Sequence, residues 1–279
     1  MNSASFDLVA GLLKRHSGLT IGRDKIYLLE TRLAAMLKRE KIGDLDALAD
    51  TLRNPRNEPL VREMVEAMTT NESSFFRDDY PFTHFRNLAI PRLISARPAI
   101  GNLRVWSAAA SSGQEAYSLA MIVHDCSTAL GVRRVEIIGT DIAREQLTRA
   151  RQGLYSQFEV QRGLPVRMLL KHFKKEEALW RVSEALRAMV EFKEWNLLDD
   201  PAPLGLFDVI FCRNVLIYFD QPTKSKVLDM LARQLAPEGF LYLGGAETVL
   251  GLTDKLLPME NERGVYVRAD QGTREKMRA

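Results

Sequence analysis

Residues 206–218, LFDVIFCRNVLIY, constrain this chain more than any other stretch. The run is apolar and β-branched enough to be a strand buried on both faces, which belongs in a parallel sheet covered by helices. Polar residues gather where that strand should end: Arg213, Asn214 and, four residues on, Tyr218. In an open α/β sheet, ligands sit beyond the carboxyl ends of the strands, so polar groups at that edge point to a site. A strand running into an ordinary polar loop would look the same, and other segments must decide.

Those segments alternate between strand and helix from about residue 100 onward. Strands are predicted at 103–108, 135–141, 190–194, 207–212 and 240–243, with a closing edge strand at 264–268. Helices are predicted at 114–130, 145–151 and 223–235. Such alternation implies right-handed βαβ units and a doubly wound α/β fold. The interval between the second and third strands is far longer than the dozen or so residues a crossover needs. Its excess, residues 154–186, reads as an inserted subdomain: a helical run at 165–173, a polar turn at 174–177, then LWRV at 179–182.

The first seventy residues carry helical spacing and no strand signal, with helices at 6–15, 24–40, 44–52 and 58–68. In the second of these, Ile26, Leu29, Leu33, Met36 and Leu37 share one face. The expected organisation is a small all-α domain over 1–70, a linker and leading helix over 71–100, and an α/β domain over 101–269. Residues 270–279 are polar and expected to be disordered.

Composition narrows the function classes. A net charge of +3 is too small to argue for nucleic acid, and no basic stripe is interleaved with aromatics. The two cysteines, Cys126 and Cys212, sit in apolar surroundings and suit a reducing compartment. His16, His84, His124 and His172 show no metal-ligand spacing, so no metal is expected. No stretch reaches the ~20 apolar residues of a membrane span, and a cytoplasmic location is expected.

Three features fall in the order a nucleotide-type cofactor site demands. The strand 103–108 runs into Ala109, Ala110, Ser111, Ser112 and Gly113, small residues that let a ligand approach the backbone beside a helix N-terminus. No GxGxxG is present, and Glu115 in the helix's first turn would repel a phosphate and attract a cation. The strand 135–141 ends in Asp141, placed to accept from ribose hydroxyls; an Asp there can equally be a helix cap. Asn196 and Leu197 follow the third strand, where an amide could address an adenine edge. Adenosine, a positive centre and no phosphate describe S-adenosylmethionine, whose product is S-adenosylhomocysteine. The rival, a nucleotide-binding dehydrogenase, would need glycines at Ala109 and Ala110.

WSAAASSGQEAYSLAM (106–121), GTDIAREQLTRARQGLY (139–155), NLL (196–198) and FDVIFCRNVLIYFD (207–220) resemble the bacterial chemotaxis receptor methyltransferases of the CheR type. TTNESSFFR (69–77) resembles that family's linker motif, and the similarity spans residues 5–268. The resemblance implies methyl transfer from S-adenosylmethionine to glutamates on cytoplasmic helices of membrane chemoreceptors, giving γ-methyl esters, by a monomer that does not enter the membrane. It implies an N-terminal helical domain and a Rossmann-like domain bearing a three-stranded antiparallel subdomain. By the same resemblance Asn71, Ser73, Arg77, Glu115, Asp141, Asn196, Leu197, Arg213 and Asn214 match cofactor contacts, and Tyr218 matches a tyrosine near the acceptor. Gln114 stands where a second acid is usual, and Ser73 where threonine is common.

Two further expectations concern the protein substrate. Lys25, Arg32 and Arg39 recur every seven residues, forming a stripe that could register an acidic receptor helix or simply be a solvated flank. The subdomain turn at 174–178 is short and lacks the glycine-containing loop with which some members of the family grip a receptor's C-terminal peptide. The expectation is independence from that tether. A non-catalytic docking adaptor and a methyltransferase for another acceptor are the alternatives.

Overall fold

The computed structural model describes residues 1–96, 101–131 and 133–270. The tail expected to be disordered lies outside them apart from Asp270. The chain divides into two compact units: Met1–Thr70 with Tyr218–Thr223, and Asn71–Ile217 with Lys224–Ala279.

The first unit is helical. Its opening helix, Ser3–Ser17, is capped by Asn2, whose side chain accepts from the Ser5 N–H at 2.9 Å, and it ends at Gly18. The helix expected at 24–40 begins later, at Ile26–Glu40, because Arg23–Lys25 form a tighter 3-10 turn that places Lys25 outside the regular helix. Leu29, Leu33 and Met36 are buried as the spacing predicts, while Ile26 and Leu37 lie half-exposed at the rim. Leu45–Leu52, capped by Asp44, and Glu58–Met68 complete the bundle. The Arg32 guanidinium donates to the Met68 and Thr69 carbonyls and to the Thr70 hydroxyl, so it caps the end of that last helix.

One strand-like contact was not foreseen in this unit. Leu19 forms an isolated antiparallel bridge with Phe219, and the Thr20 N–H donates to the Tyr218 carbonyl at 2.9 Å. Lys14 Nζ lies 2.6 Å from Asp220. The Lys14 ammonium and the Thr223 donors hold the Asp220 carboxyl down at about 2.

The second unit is built on β1 (Leu103–Ala108), β2 (Val135–Asp141), β3 (Leu154–Ser156), β4 (Phe173–Glu176), β5 (Leu179–Val182), β6 (Val190–Glu194), β7 (Phe207–Cys212), β8 (Leu235–Leu243), β9 (Leu256–Pro258) and β10 (Val265–Arg268). Seven strands form one sheet in the order β6-β2-β1-β7-β8-β10-β9. The first five run parallel, and β10 is antiparallel to both of its neighbours. Strand order reverses between β1 and β7, the switch point where a doubly wound sheet opens a crevice.

The continuous apolar run in β7 is explained by cover on both faces: all six residues are buried. Val105, Ile137, Val209, Phe211 and Tyr242 join a core with Phe82, Phe85 and Ile90. The alternate residue Trp106 stacks on Phe207, ring centroids 5.2 Å apart, and shares a small gap with Val227 and Leu231 of the helix Gln221–Gln234.

Several boundaries differ from the sequence reading for identifiable reasons. The helix expected at 114–130 breaks at Cys126 into Gln114–Asp125 and Ser127–Leu130. The strand expected at 240–243 is the second half of β8, whose first half is disguised by Pro237 and Gly239. Leu235 faces Phe207, and pairing resumes with Phe240 opposite Val209. The three-residue strands β3 and β9 are too short to display a period. In the insertion, β3-β5-β4 form the small antiparallel sheet. The supposed polar turn at 174–177 is mostly strand β4, and the true connection is Glu177-Ala178 with Glu177 at φ 51°.

The leading segment runs through Tyr80–His84, a π-turn at Phe85–Ala89 and Ile90–Ala96. His84 is buried, 2.8 Å from the Tyr242 hydroxyl; among the described residues its Nε2 has no hydrogen-bond partner, and the Glu262 carboxylate lies 3.9 Å from it. Burial, aided by Arg92, pushes its pKa down to about 4. Its folded pKa lies below its unfolded value, so this stability is present above about pH 6.5 and is lost as pH falls toward about 4. Denaturant unfolding should show a loss of ~2 kcal/mol from this group between pH 8 and 5, and His84→Gln should remove that part of the slope. An unchanged slope in the variant would refute the assignment.

Candidate functional site

The candidate site lies at the carboxyl ends of β1, β2, β6 and β7, and small residues shape its floor. After β1 the backbone turns through Ala109 at φ 63°, Ser111 at φ 50° and Gly113 at φ 95°. Two non-glycine residues in the left-handed region cost roughly 1–2 kcal/mol each, so surrounding bonds must hold them. The Ala110 N–H donates to the Thr140 carbonyl at 2.8 Å, and the Tyr155 hydroxyl donates to the Ser112 carbonyl at 2.7 Å. At Gly113 any Cβ would lie 2.9 Å from that of Ala150, so only glycine lets the following helix sit this close.

Asp141, buried at the end of β2, accepts from the Ser111 N–H at 2.8 Å through one oxygen and from the Ala143 N–H at 2.9 Å through the other. The turn and the acid are thus one piece. A carboxylate is an acceptor-only group with about four lone-pair sites, the type of acceptor that ribose hydroxyls need. The Trp195 N–H donates to the Asp141 carbonyl at 3.0 Å, which brings Asn196 alongside. The Asn196 side chain accepts from the Leu198 N–H at 3.0 Å, and Leu197 is half-buried between them.

Glu115 stands in the first turn of the helix Gln114–Asp125. It accepts from the Ser107 hydroxyl at 2.8 Å and faces Arg213 Nη1 at 3.1 Å. Burial raises its pKa, and the Arg213 guanidinium and the Ser107 hydroxyl oppose the rise. Arg213 is itself 2 % exposed in its side chain and is committed within the protein. Besides Glu115 it holds the Asp78 carboxylate at 2.7 Å and the Arg77 carbonyl at 2.8 Å.

The linker segment is fastened along its length. The Ser111 hydroxyl donates to the Asn71 carbonyl at 3.0 Å, the Phe76 N–H donates to Ser118 Oγ at 3.0 Å, and Arg162 pairs with Glu72 at 2.5 Å. Ser73 and Arg77 lie half-buried between these anchors, and Arg77 Nη1 donates to the Glu72 carbonyl. Phe76, Asp78 and Asp79 all have positive φ, a kinked path that Arg213 stabilises from beneath.

Hydrogen bonds therefore join Asn71 to Asp141 through Ser111, and Arg77 and Glu115 through Arg213. Asn214, at φ 58°, begins the loop after β7. Tyr218, Lys25, Arg32 and Arg39 belong to the helical unit. Arg39 pairs with Glu40 and Glu63. Sequence reasoning missed Asp78, Ser107 and Glu247, of which only Glu247, in GGAET after β8, offers a pattern that could have flagged it. It also missed that folding gathers His124, Asp125 and His172, whose ligand-type atoms lie within 4.8 Å of one another. Lys171 at 2.5 Å and Arg86 at 3.6 Å already neutralise Asp125, which argues against a cation there.

The site fits an adenosyl cofactor without phosphate. Asp141 ends a strand beside a small-residue turn that lacks the glycine-rich loop of a phosphate site, and the Glu115 charge at the helix N-terminus is matched by Arg213. Known proteins agree with that chemistry. The sequence pattern of the CheR methyltransferase SAM binding domain matches residues 71–265, and that of the CheR methyltransferase all-alpha domain matches residues 4–69. Chemotaxis protein methyltransferase 1 of Pseudomonas aeruginosa is 39% identical over 272 residues, covering 96% of this chain and 98% of the relative. Chemotaxis protein methyltransferase 1 of Vibrio cholerae is 38% identical, covering 92% of this chain and 93% of its own. The chain belongs to the CheR methyltransferase family, and S-adenosylmethionine is its methyl donor.

Proposed function

We propose that the protein methylates glutamate side chains on the cytoplasmic helices of chemoreceptors, forming γ-carboxyl methyl esters that tune adaptation. The observation that carries this reading is the pair of carboxylates, Glu115 and Asp141, around a small-residue turn, in a chain whose relatives are named chemotaxis methyltransferases. Asp141 would accept from the ribose, Asn196 and Leu197 would flank the adenine, and Glu115 would balance the positive end of the cofactor. Asn71, Ser73, Arg77, Arg213 and Asn214 would complete the enclosure, with Arg213 acting through Glu115 and the linker. The bound cofactor supplies an electrophilic methyl on a sulfonium.

An acceptor glutamate is already ionised at neutral pH, with a reference pKa near 4.3, so the chemistry needs alignment and water exclusion. Alignment of reactants can recover ~7–11 kcal/mol of barrier. Tyr218 would donate its hydroxyl to one acceptor oxygen and leave the other free to attack, and Arg77 would pair with a carboxylate. Tyr218→Phe should lower kcat by about 10- to 100-fold, the range of one transition-state hydrogen bond. The Kd for S-adenosylhomocysteine should stay within about threefold of the parent. A variant that turned over normally would remove Tyr218 from the mechanism.

The cations Lys25, Arg32 and Arg39 would meet an acidic receptor helix in the cytoplasm, with Arg32 limited by its capping duty. The two-residue Glu177-Ala178 connection supports a subdomain that needs no receptor tail. Base-labile methyl ester on a receptor cytoplasmic fragment should therefore form equally fast with and without its C-terminal peptide, and more slowly as salt is raised. Strong dependence on the peptide would overturn tether independence. No ester on any receptor fragment, despite cofactor binding, would point to another acceptor.

A further inference from the structure

We propose that Glu247 is a positioning residue for methyl transfer, one that fixes the loop between β7 and the segment carrying Tyr218. The proposal rests on the reading of Tyr218 given above and extends it to a residue outside the expected site. Glu247 follows β8 and folds back through a turn in which its N–H donates to the Gly244 carbonyl at 2.9 Å. Its carboxylate, 8 % exposed as a residue, is met by four backbone donors. One oxygen accepts from Asn214 at 2.9 Å and Gly244 at 2.7 Å, and the other from Val215 at 2.9 Å and Ile217 at 3.3 Å.

A carboxylate buried this deeply is costly unless its partners are fixed. Three of the four partners are main-chain groups of 214–217, a stretch that starts from a left-handed Asn214 and passes directly into Tyr218. Without an internal acceptor, these N–H groups would face water and the loop would lose its one conformation. Gly244 belongs to the same device. A Cβ there would lie 2.7 Å from the Glu247 carboxylate and 2.9 Å from the Asn214 nitrogen, so the strand end must be bare for the carboxylate to reach across. Glu247 therefore holds Asn214 on the cofactor side through one bond and, through two, the Val215 and Ile217 main chain that leads into Tyr218.

The test is Glu247→Gln, which keeps shape but turns an NH2 toward two of the four donors, with Leu228→Ala as a core control of comparable instability. Amide hydrogen exchange should quicken about tenfold or more across 214–217 in Glu247→Gln and stay protected in Leu228→Ala. On a receptor fragment, kcat should fall about tenfold or more, a larger factor than the rise in Kd for S-adenosylhomocysteine that loosening Asn214 brings. Glu247→Asp, charged but too short to reach both pairs of donors, should fail to restore the rate. Unchanged exchange in 214–217 overturns the proposal. So does a rate loss no greater than the control's at equal thermal stability. A parent enzyme that binds cofactor but esterifies no receptor fragment would instead sink the reading of the substrate, leaving the exchange result to judge Glu247.

Discussion

Replacing Asp141 with alanine should raise the Kd for S-adenosylhomocysteine about 100-fold or more. Two ribose hydroxyls donating to one buried carboxylate are worth roughly 1.5–3 kcal/mol each, and tenfold in affinity corresponds to about 1.4 kcal/mol. Asp141 also holds the Ser111 and Ala143 N–H groups, so its loss could loosen the turn as well as delete a ribose contact. An analogue lacking both ribose hydroxyls separates the two effects. The parent should bind that analogue poorly, and Asp141→Ala should bind it no worse than the parent does. Calorimetry showing unchanged affinity in Asp141→Ala would refute the ribose assignment. An equal loss for both ligands would assign Asp141 to the turn alone.

The second large effect concerns stability. Arg213→Leu strands Glu115 in a nearly closed environment, while Asp78, 56% exposed in its side chain, can turn to water. Removing one partner of a buried pair costs about 3–5 kcal/mol, or roughly 6–15 °C in Tm for a domain of this size. The sign with pH is definite. Burial already raises the Glu115 pKa against the pull of Arg213, so losing Arg213 raises it further. The folded state then prefers neutral Glu115, and the penalty should be smaller near pH 5 than near pH 8. Adding Glu115→Gln to Arg213→Leu should recover part of the loss. If the double variant is as unstable as the two single effects summed, the pair is not coupled.

The fold was legible where residues repeat a pattern over several turns. The parallel strands 103–108, 135–141, 190–194 and 207–212 match their observed bounds: 207–212, buried on both faces, leaves an unbroken apolar signature, whereas the edge strand 190–194 is marked by buried Val190 and Phe192 alternating with charged residues. The three-residue strands at Leu154–Ser156 and Leu256–Pro258 carry no such signature. The stretch before residue 240 hides its strand behind Pro237 and Gly239. In the candidate site the positions of two acids were legible, since Asp141 ends a strand and Glu115 stands in the first turn of a helix. The site's connections were not. That Arg213 is committed to Asp78 and Glu115, or that Arg32 caps a neighbouring helix, depends on residues far apart in the chain. Spacing suggested a cationic stripe at Lys25, Arg32 and Arg39, because periodicity reports a face without its partners.

The bridge between Leu19 and Phe219 carries a consequence for anyone wishing to transplant or shorten this enzyme. The N-terminal bundle is not a detachable module, because six residues from the far half of the polypeptide, Tyr218–Thr223, are part of it. A cut after residue 70 would orphan that hexapeptide along with its tyrosine, and a chimaera that borrowed only the first seventy positions would inherit an incomplete bundle. Exchange between relatives should therefore move both pieces together.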